Sequence, residues 1–244
     1  MPDLIIPDSR FEMPGLFLPG VKPVGKVKID WEHPLASRID AYYLMDGANL
    51  TKDLIGRSDG VIENDVSVGF FDVYRGAKFG ATDDAINIGD DITNVSNSIT
   101  ISATIFNSSV AGLAGILGKR AGTTSAAQYS FGIEDSKLLF WFYSGGWYGV
   151  NSAEVIPGNE IVRVGMTYNK VNLKLFLNGK LTDSVPLTAS LTHYSIDALI
   201  GKWSSNTGGG IEGGIVDLLF SRSALTDREM HSLHINPHQF LIPA

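Results

Sequence analysis

The chain contains no cysteine among its 244 residues. Disulfide stapling, cysteine-ligated zinc and thiol catalysis are excluded with it. No stretch approaches the roughly 18 consecutive apolar residues of a membrane span. The opening residues, MPDLIIPDSRFEMPG, lack both the basic start and the unbroken apolar core of a secretory signal. A chain short of signal and cysteine alike is expected to fold in a cytoplasm, whatever its final address. Positive charge is also scarce: 19 Lys and Arg stand against 26 Asp and Glu, a net charge of −7. That balance argues against nucleic acid or an anionic membrane surface as a partner. Catalytic signatures are few. Serines are plentiful, and the one Gly-x-Ser-x-Gly match, Gly56-Arg57-Ser58-Asp59-Gly60, falls in a polar loop rather than between a strand and a helix, so it makes no nucleophile elbow. Gly208-Gly209-Gly210 lacks the Lys-Ser/Thr that would follow in a phosphate loop, so it reads as a turn.

What the chain does have is alternation. Ile161 to Tyr168 and Lys170 to Leu177 alternate as strands, and Asn178-Gly179 follows, the strongest short-range hairpin signal. Leu173, Leu175 and Leu177 would then share one face. Ile99, Ile101, Ala103 and Ile105 alternate with Thr100, Ser102 and Thr104 in the same way. Further strands are expected at Ile39–Leu44, Val66–Tyr74, within Ala77–Gly89, and at Gly115–Lys119, Gln128–Glu134, Lys137–Tyr143, Trp147–Val150, Ala198–Trp203 and Gly214–Ser221. The 27 glycines and 10 prolines suit many turns. A dozen or so short strands with turn signals between them is a sandwich pattern, and one domain suffices for this length. One helix is expected, about Asp227 to Leu233. Thr226 and Glu229 supply a capping box, and Pro237 disfavours helix at Asn236.

The flanks differ from the body. Residues 1–34 carry prolines at 2, 7, 14, 19, 23 and 34, interleaved with Leu4, Ile5, Ile6, Phe11, Met13, Leu16, Phe17, Leu18 and Trp31. Prolines block helix and central strands, yet a solvated tail would be poorer in apolar residues. This reads as an extended arm that packs on its own domain or on a neighbouring subunit. The tail INPHQFLIPA, with Phe240 and Leu241, reads as a second arm. The expected division is an arm over 1–34, a domain over 35–235 and a C-terminal arm over 236–244.

The order of several short motifs resembles the laminin-G-like, concanavalin-A-like jelly-roll family. They are His33-Pro34-Leu35-Ala36, Ala41 to Gly47 (AYYLMDG), Asp53-Leu54-Ile55-Gly56, Ala77-Lys78-Phe79-Gly80, Ala85 to Gly89 (AINIG), and Ser98 to Phe106 with Gly115 to Arg120. LFLNGKL, Leu199-Ile200-Gly201 and Gly214 to Leu225 with the terminal helix complete the set. The resemblance covers Pro34 to Asn236 and implies an all-β antiparallel sandwich. The flanks KPVGKVKIDWEHPLA and INPHQFL are similar to laminin-G-like proteins encoded by tailed bacteriophages. That resemblance implies a non-enzymatic virion protein, a head decoration or tail accessory, made in the host bacterial cytoplasm. Its arms would anchor it to capsid or tail proteins and to further copies of itself, a trimer being one ring that arms could clasp. The alternative is a carbohydrate-binding module that attaches to a host-surface glycan; a glycan-active enzyme ranks third.

Glycosidases of this fold class set acidic residues two and five apart on one strand, so that two carboxylates face one cleft. No such run occurs here. Glu134-Asp135 are adjacent and read as turn residues, and Glu212 with Asp217 are separated by a glycine pair. Relatives often hold a structural calcium between the first strand's backbone and an aspartate of the last strand. Asp217 matches that aspartate and Gly47 would offer a carbonyl; otherwise Asp217 bonds a neighbouring loop. His33 reads as structural. His231 and His234 share a helix face, without the further ligands a metal needs. Among the aromatics, Phe140 and Phe142 share one face and Trp141 and Tyr143 the other. One set should be core, and the other could stack on a sugar ring or enter a protein interface, the first expectation being that both are buried by a sheet covered on each side. Trp147 and Tyr148, beside the expected loop at Gly145-Gly146, are with Trp203 and Asn206 the candidates for stacking on and bonding to a sugar.

Overall fold

The structure, a computed structural model, describes residues 20–23, 25–47, 49–108, 112–121, 127–205 and 209–244. In chain order the strands are β1 (Val27–Ile29), β2 (Ala41–Tyr43), β3 (Val61–Glu63), β4 (Ser67–Phe71), β5 (Tyr74–Phe79), β6 (Ala85–Asn87), β7 (Ile99–Asn107) and β8 (Leu113–Arg120). They continue as β9 (Ala127–Glu134), β10 (Lys137–Tyr143), β11 (Trp147–Val155), β12 (Ile161–Tyr168), β13 (Asn172–Leu177), β14 (Lys180–Pro186), β15 (Leu199–Ile200), β16 (Gly213–Ser221) and β17 (Leu241–Pro243). Helix α1 (Asp227–Ile235) lies between the last two strands.

Two antiparallel sheets face each other. One, here the front sheet, runs β11-β10-β9-β8-β15-β6-β3; the other, the back sheet, runs β14-β13-β12-β7-β16-β5-β4, with β2 also pairing β16. Alternation decides what lies between them. Ile99, Ile101, Ala103 and Ile105 of β7 and Leu173, Leu175 and Leu177 of β13 meet Leu138, Phe140 and Phe142 of β10 in one continuous core. Asn178 and Gly179 both take positive φ, 49° and 72°, as the hairpin reading of that dipeptide requires. The fold is the expected antiparallel β-sandwich with one short helix.

A second core lies on the outer side of the back sheet. Tyr42, Phe176 and Leu219 alternate with inward neighbours, so they point outward. There they pack against Met230 and Leu233 of α1 and against Ile29, Leu35, Phe240 and Leu241 from the two ends of the chain. Thr226 and Glu229 form the capping box that starts the helix. The described ends join each other, β1 pairing β17 through Val27↔Pro243 and Ile29↔Leu241.

Phe240 and Leu241 are therefore corrected as arm residues held ready for a neighbour: both are buried in this chain's own core. Tyr42 meets Phe240 edge-on with 4.8 Å between ring centres, a contact a partner subunit would have to displace. Leu4, Ile5, Ile6, Phe11, Met13, Leu16, Phe17 and Leu18 lie outside the described residues. Trp31 is exposed.

Candidate functional site

The described ends, β1 and β17, cover the back sheet, and the exposed Trp147 lies with Trp141 and Tyr143 on the outer side of the front sheet. In β10, Leu138, Phe140 and Phe142 point into the core, so Leu139, Trp141 and Tyr143 point out. The turn Ser144–Gly146 closes with Ser144 N donating to Gly146 O at 2.9 Å, and Gly145 takes φ 70°. It sets the β10–β11 register as Trp141↔Gly149, Phe142↔Tyr148 and Tyr143↔Trp147. Trp147 is placed on the outer face beside Trp141 and Tyr143, at centroid distances of 6.3 and 5.4 Å.

Three contacts fix this cluster. Gly149 lies opposite Trp141, and a Cβ there would collide with the indole, so the glycine lets Trp141 lie across β11. Trp141 Nε1 donates to Asn151 Oδ1 at 3.1 Å, locking the ring's direction. Arg120, at the end of β8, sets its guanidinium 4.7 Å from the Trp147 ring centre, a cation–π distance. Arg120 Nε is buried there without a hydrogen-bond partner. Trp147 keeps 44% of its surface exposed. Two depressions open on either side of Trp141. One, about 290 Å³, is lined by Trp147, Tyr148, Gly149, Val150 and Asn151; the other, about 180 Å³, by Leu113, Arg120, Glu134, Leu139 and Trp203.

The sequence expectations are changed here in four respects. Trp141 and Tyr143 are half-buried rather than covered, because no further layer lies over the described part of that face. Trp147 and Tyr148 lie in strand β11, as the expected strand at Trp147–Val150 places them, but they point to opposite sides, so they do not form one sugar platform; Tyr148 stacks on Phe142 at 5.6 Å. Trp203 is buried at 4% exposure, its backbone laid over Gly115 and Gly118, so only part of it reaches the depression. Arg120 and Asn151 join the cluster without having been candidates from the sequence. Asn206 lies outside the described residues.

Among the described residues, the carboxylates weighed as a catalytic pair do not gather at this face. Asp135 takes φ 47° in the β9–β10 turn and accepts from Gly112 N, while its neighbour Glu134 edges the smaller depression. Asp217 is on the back sheet and fully buried. Its Oδ1 accepts from Arg163 Nη1 at 2.5 Å, and the same Nη1 reaches Thr104 Oγ1 at 2.8 Å. Burial pushes the Asp217 carboxyl up, but Arg163, His238 and Thr104 hold it below the usual carboxylate range. His33 Nδ1 accepts from Leu35 N, and His231 and His234 lie over the Asn178-Gly179 turn.

A calcium at Gly47 and Asp217 does not fit these residues. Calcium asks for about six to eight oxygen ligands. Two residues before Gly47, the Met45 carbonyl accepts from Lys22 Nζ at 3.2 Å. The same ammonium takes Arg75 O at 2.6 Å and Val216 O at 2.8 Å. Asp217 is held by Arg163. Among the described residues no three acidic or histidine side chains are grouped to hold a metal.

The architecture recurs in solved structures. Domain 4 of AbnA, a GH43 extracellular arabinanase from Geobacillus stearothermophilus, in complex with arabinotriose, superposes with a TM-score of 0.68 at 16% identity over 81% of this chain and 98% of that one. The binding domain of Paraclostridial Mosquitocidal Protein 1 gives 0.63 at 15% identity, over 81% of this chain and 52% of that one. The Ruminococcus gnavus IT-sialidase CBM40 bound to α2,3-sialyllactose gives 0.52 at 14%, over 64% and 95%. At such identities the likeness is one of fold. No curated protein sequence matches the chain. Residues 79–231 match the family model Laminin_G_3. That match spans more than half of the sequence, and the chain belongs to the concanavalin A-like lectin/glucanases superfamily.

Proposed function

We propose that the protein is a non-enzymatic carbohydrate-binding domain, and that its sugar contact is the outer face of β10 and β11. The observation that carries this reading is the cluster of Trp141, Tyr143 and Trp147, part-exposed and oriented by Gly149, Asn151 and Arg120. A sugar ring has an apolar face of C–H groups and a rim of hydroxyls. Indole faces complement the first, and Arg120, Asn151 and Glu134 offer donors and acceptors to the second. The two depressions share Trp141 as a wall, an arrangement suited to consecutive rings of an oligosaccharide. The arabinotriose and sialyllactose complexes of similar folds support the class of ligand, not its identity.

Among the described residues, the two depressions hold one carboxylate where hydrolysis needs two. Glu134 borders the site, but Asp217 serves an ion pair on the other sheet. A glycan array followed by calorimetry tests the binding reading. Binding of an oligosaccharide that is lost in Trp147→Ala and Trp141→Ala is the expected result. No glycan bound across the array, or binding indifferent to both substitutions, would overturn it.

The second reading, a bacteriophage virion protein displaying this domain, is compatible with the first. One observation favours it. The two described ends meet at β1 and β17 on the back sheet, with the aromatic cluster on the front. A domain tethered through both ends on one side presents the other side outward. Finding the protein in purified particles by mass spectrometry is the test.

A further inference from the structure

Lys22 stands in the N-terminal flank, yet its side chain is almost fully buried. Its ammonium meets three main-chain carbonyls from three separate segments: Met45 just after β2, Arg75 in β5 and Val216 in β16. An ammonium has three N–H donors, and here each finds one carbonyl. Asp217 and Asp46 both attract the charge, and Arg75 opposes it. Convergent carbonyls with carboxylates behind them are what a hard cation requires of a protein. The backbone groups on these strands point their negative ends at one spot, and left unsatisfied they would be costly to bury.

We infer that this is a cation site filled by the chain's own Lys22 ammonium, a tethered ion that replaces a free metal and pins the N-terminal segment to the back sheet. Two consequences separate the inference from mere packing. The intact protein needs no divalent ion for its stability, because the position is taken. Removing the ammonium while keeping the carbonyls leaves a cavity of the right charge for a small free cation. A free ion loses translational freedom on binding, whereas the tethered one has lost most of it in the chain.

The experiment melts three proteins: the parent chain, Lys22→Ala and Lys22→Met. Each is heated in chelator, in millimolar calcium and in methylammonium chloride, with sodium chloride matching ionic strength. Lys22→Met keeps the aliphatic stem and fills the hole without a donor, so it controls for an alanine variant that fails to fold. The expected pattern has the parent indifferent to all three media and both variants melting lower in chelator. Calcium or methylammonium then raises Lys22→Ala and leaves Lys22→Met unmoved. Any of three results would overturn the inference: a parent stabilised by calcium, variants as stable as the parent in chelator, or a Lys22→Ala protein that neither cation raises. If Lys22→Ala does not fold in any medium, Lys22→Met decides: lower melting in chelator supports the pin, and parental melting refutes it.

Discussion

Arg163 Nη1 donates to Asp217 Oδ1 at 2.5 Å with both side chains sealed from solvent, and the other two guanidinium nitrogens, Nε and Nη2, have no partner. Two buried charges held by one strong contact are expected to be sensitive to losing either member. Asp217→Ala leaves an unpaired guanidinium on the back sheet and is expected to cost about 3–5 kcal/mol. Changing the pair together, Arg163→Met with Asp217→Leu, should recover most of that loss, since well-packed apolar residues often replace a buried ion pair at little cost. Urea unfolding of the parent, the single variant and the double variant gives the comparison. A single variant as stable as the parent would mean that the guanidinium finds water or another acceptor.

Gly149 makes room for Trp141 by lacking a side chain. Gly149→Val places a residue with good strand propensity on β11 and drives the indole off the sheet. The fold should survive, and glycan affinity should fall by about tenfold or more, the equivalent of one lost ring contact at roughly 1.4 kcal/mol. Circular dichroism and calorimetry on the same sample separate the two effects. Unchanged affinity would shift the sugar contact away from Trp141.

The capping box gives a local test of how the helix is held on the second core. Thr226 Oγ1 accepts from Glu229 N at 3.3 Å, and Glu229 Oε2 accepts from Thr226 N at 2.7 Å. Thr226→Ala should lower stability by about 1 kcal/mol, and Thr226→Ser by much less, because serine restores the acceptor. Equal losses in the two variants would assign the effect to the threonine methyl instead.

Most of the strands were legible because their two faces differ in burial. The β7 and β13 alternations and the Asn178-Gly179 turn each announce a local structure that the fold keeps. The same alternation separated Trp141 and Tyr143 from Phe140 and Phe142. It left open which pair would be uncovered. Strands β1, β3 and β17 were not legible. Val61 and Ile62 of β3 are exposed on both faces, so no pattern marks them, and they are zipped by β6 from afar. Trp203 looked free because nothing nearby in sequence covers it. Its burial depends on Gly115 and Gly118, two bare positions in β8 that let the backbone of its loop descend. Lys22 was invisible for a similar reason: its partners are carbonyls, which every residue has.

His238 sets the response to acid. Its ring is buried between β2 and the C-terminal residues, with Nδ1 and Tyr42 Oη hydrogen-bonded at 2.8 Å. Burial pushes the His238 pKa down to about 4; Asp217 pulls it up, and Arg163 and Lys22 push it further down. In the unfolded chain the same ring titrates near 6.5. Between those values the unfolded state takes a proton that the folded state refuses. The contribution to stability is therefore complete above pH 6.5 and lost progressively as pH falls toward 4. Two and a half units correspond to about 3 kcal/mol at most. Replacing the ring by His238→Gln keeps a hydrogen-bonding side chain beside Tyr42 and removes the titration. Chemical denaturation at pH 7 and near pH 4.5 should then show a steep loss for the parent and a shallower one for the variant. Parallel losses would move the acid sensitivity to another group, first to His234, which burial also pushes below its ordinary value of 6.5.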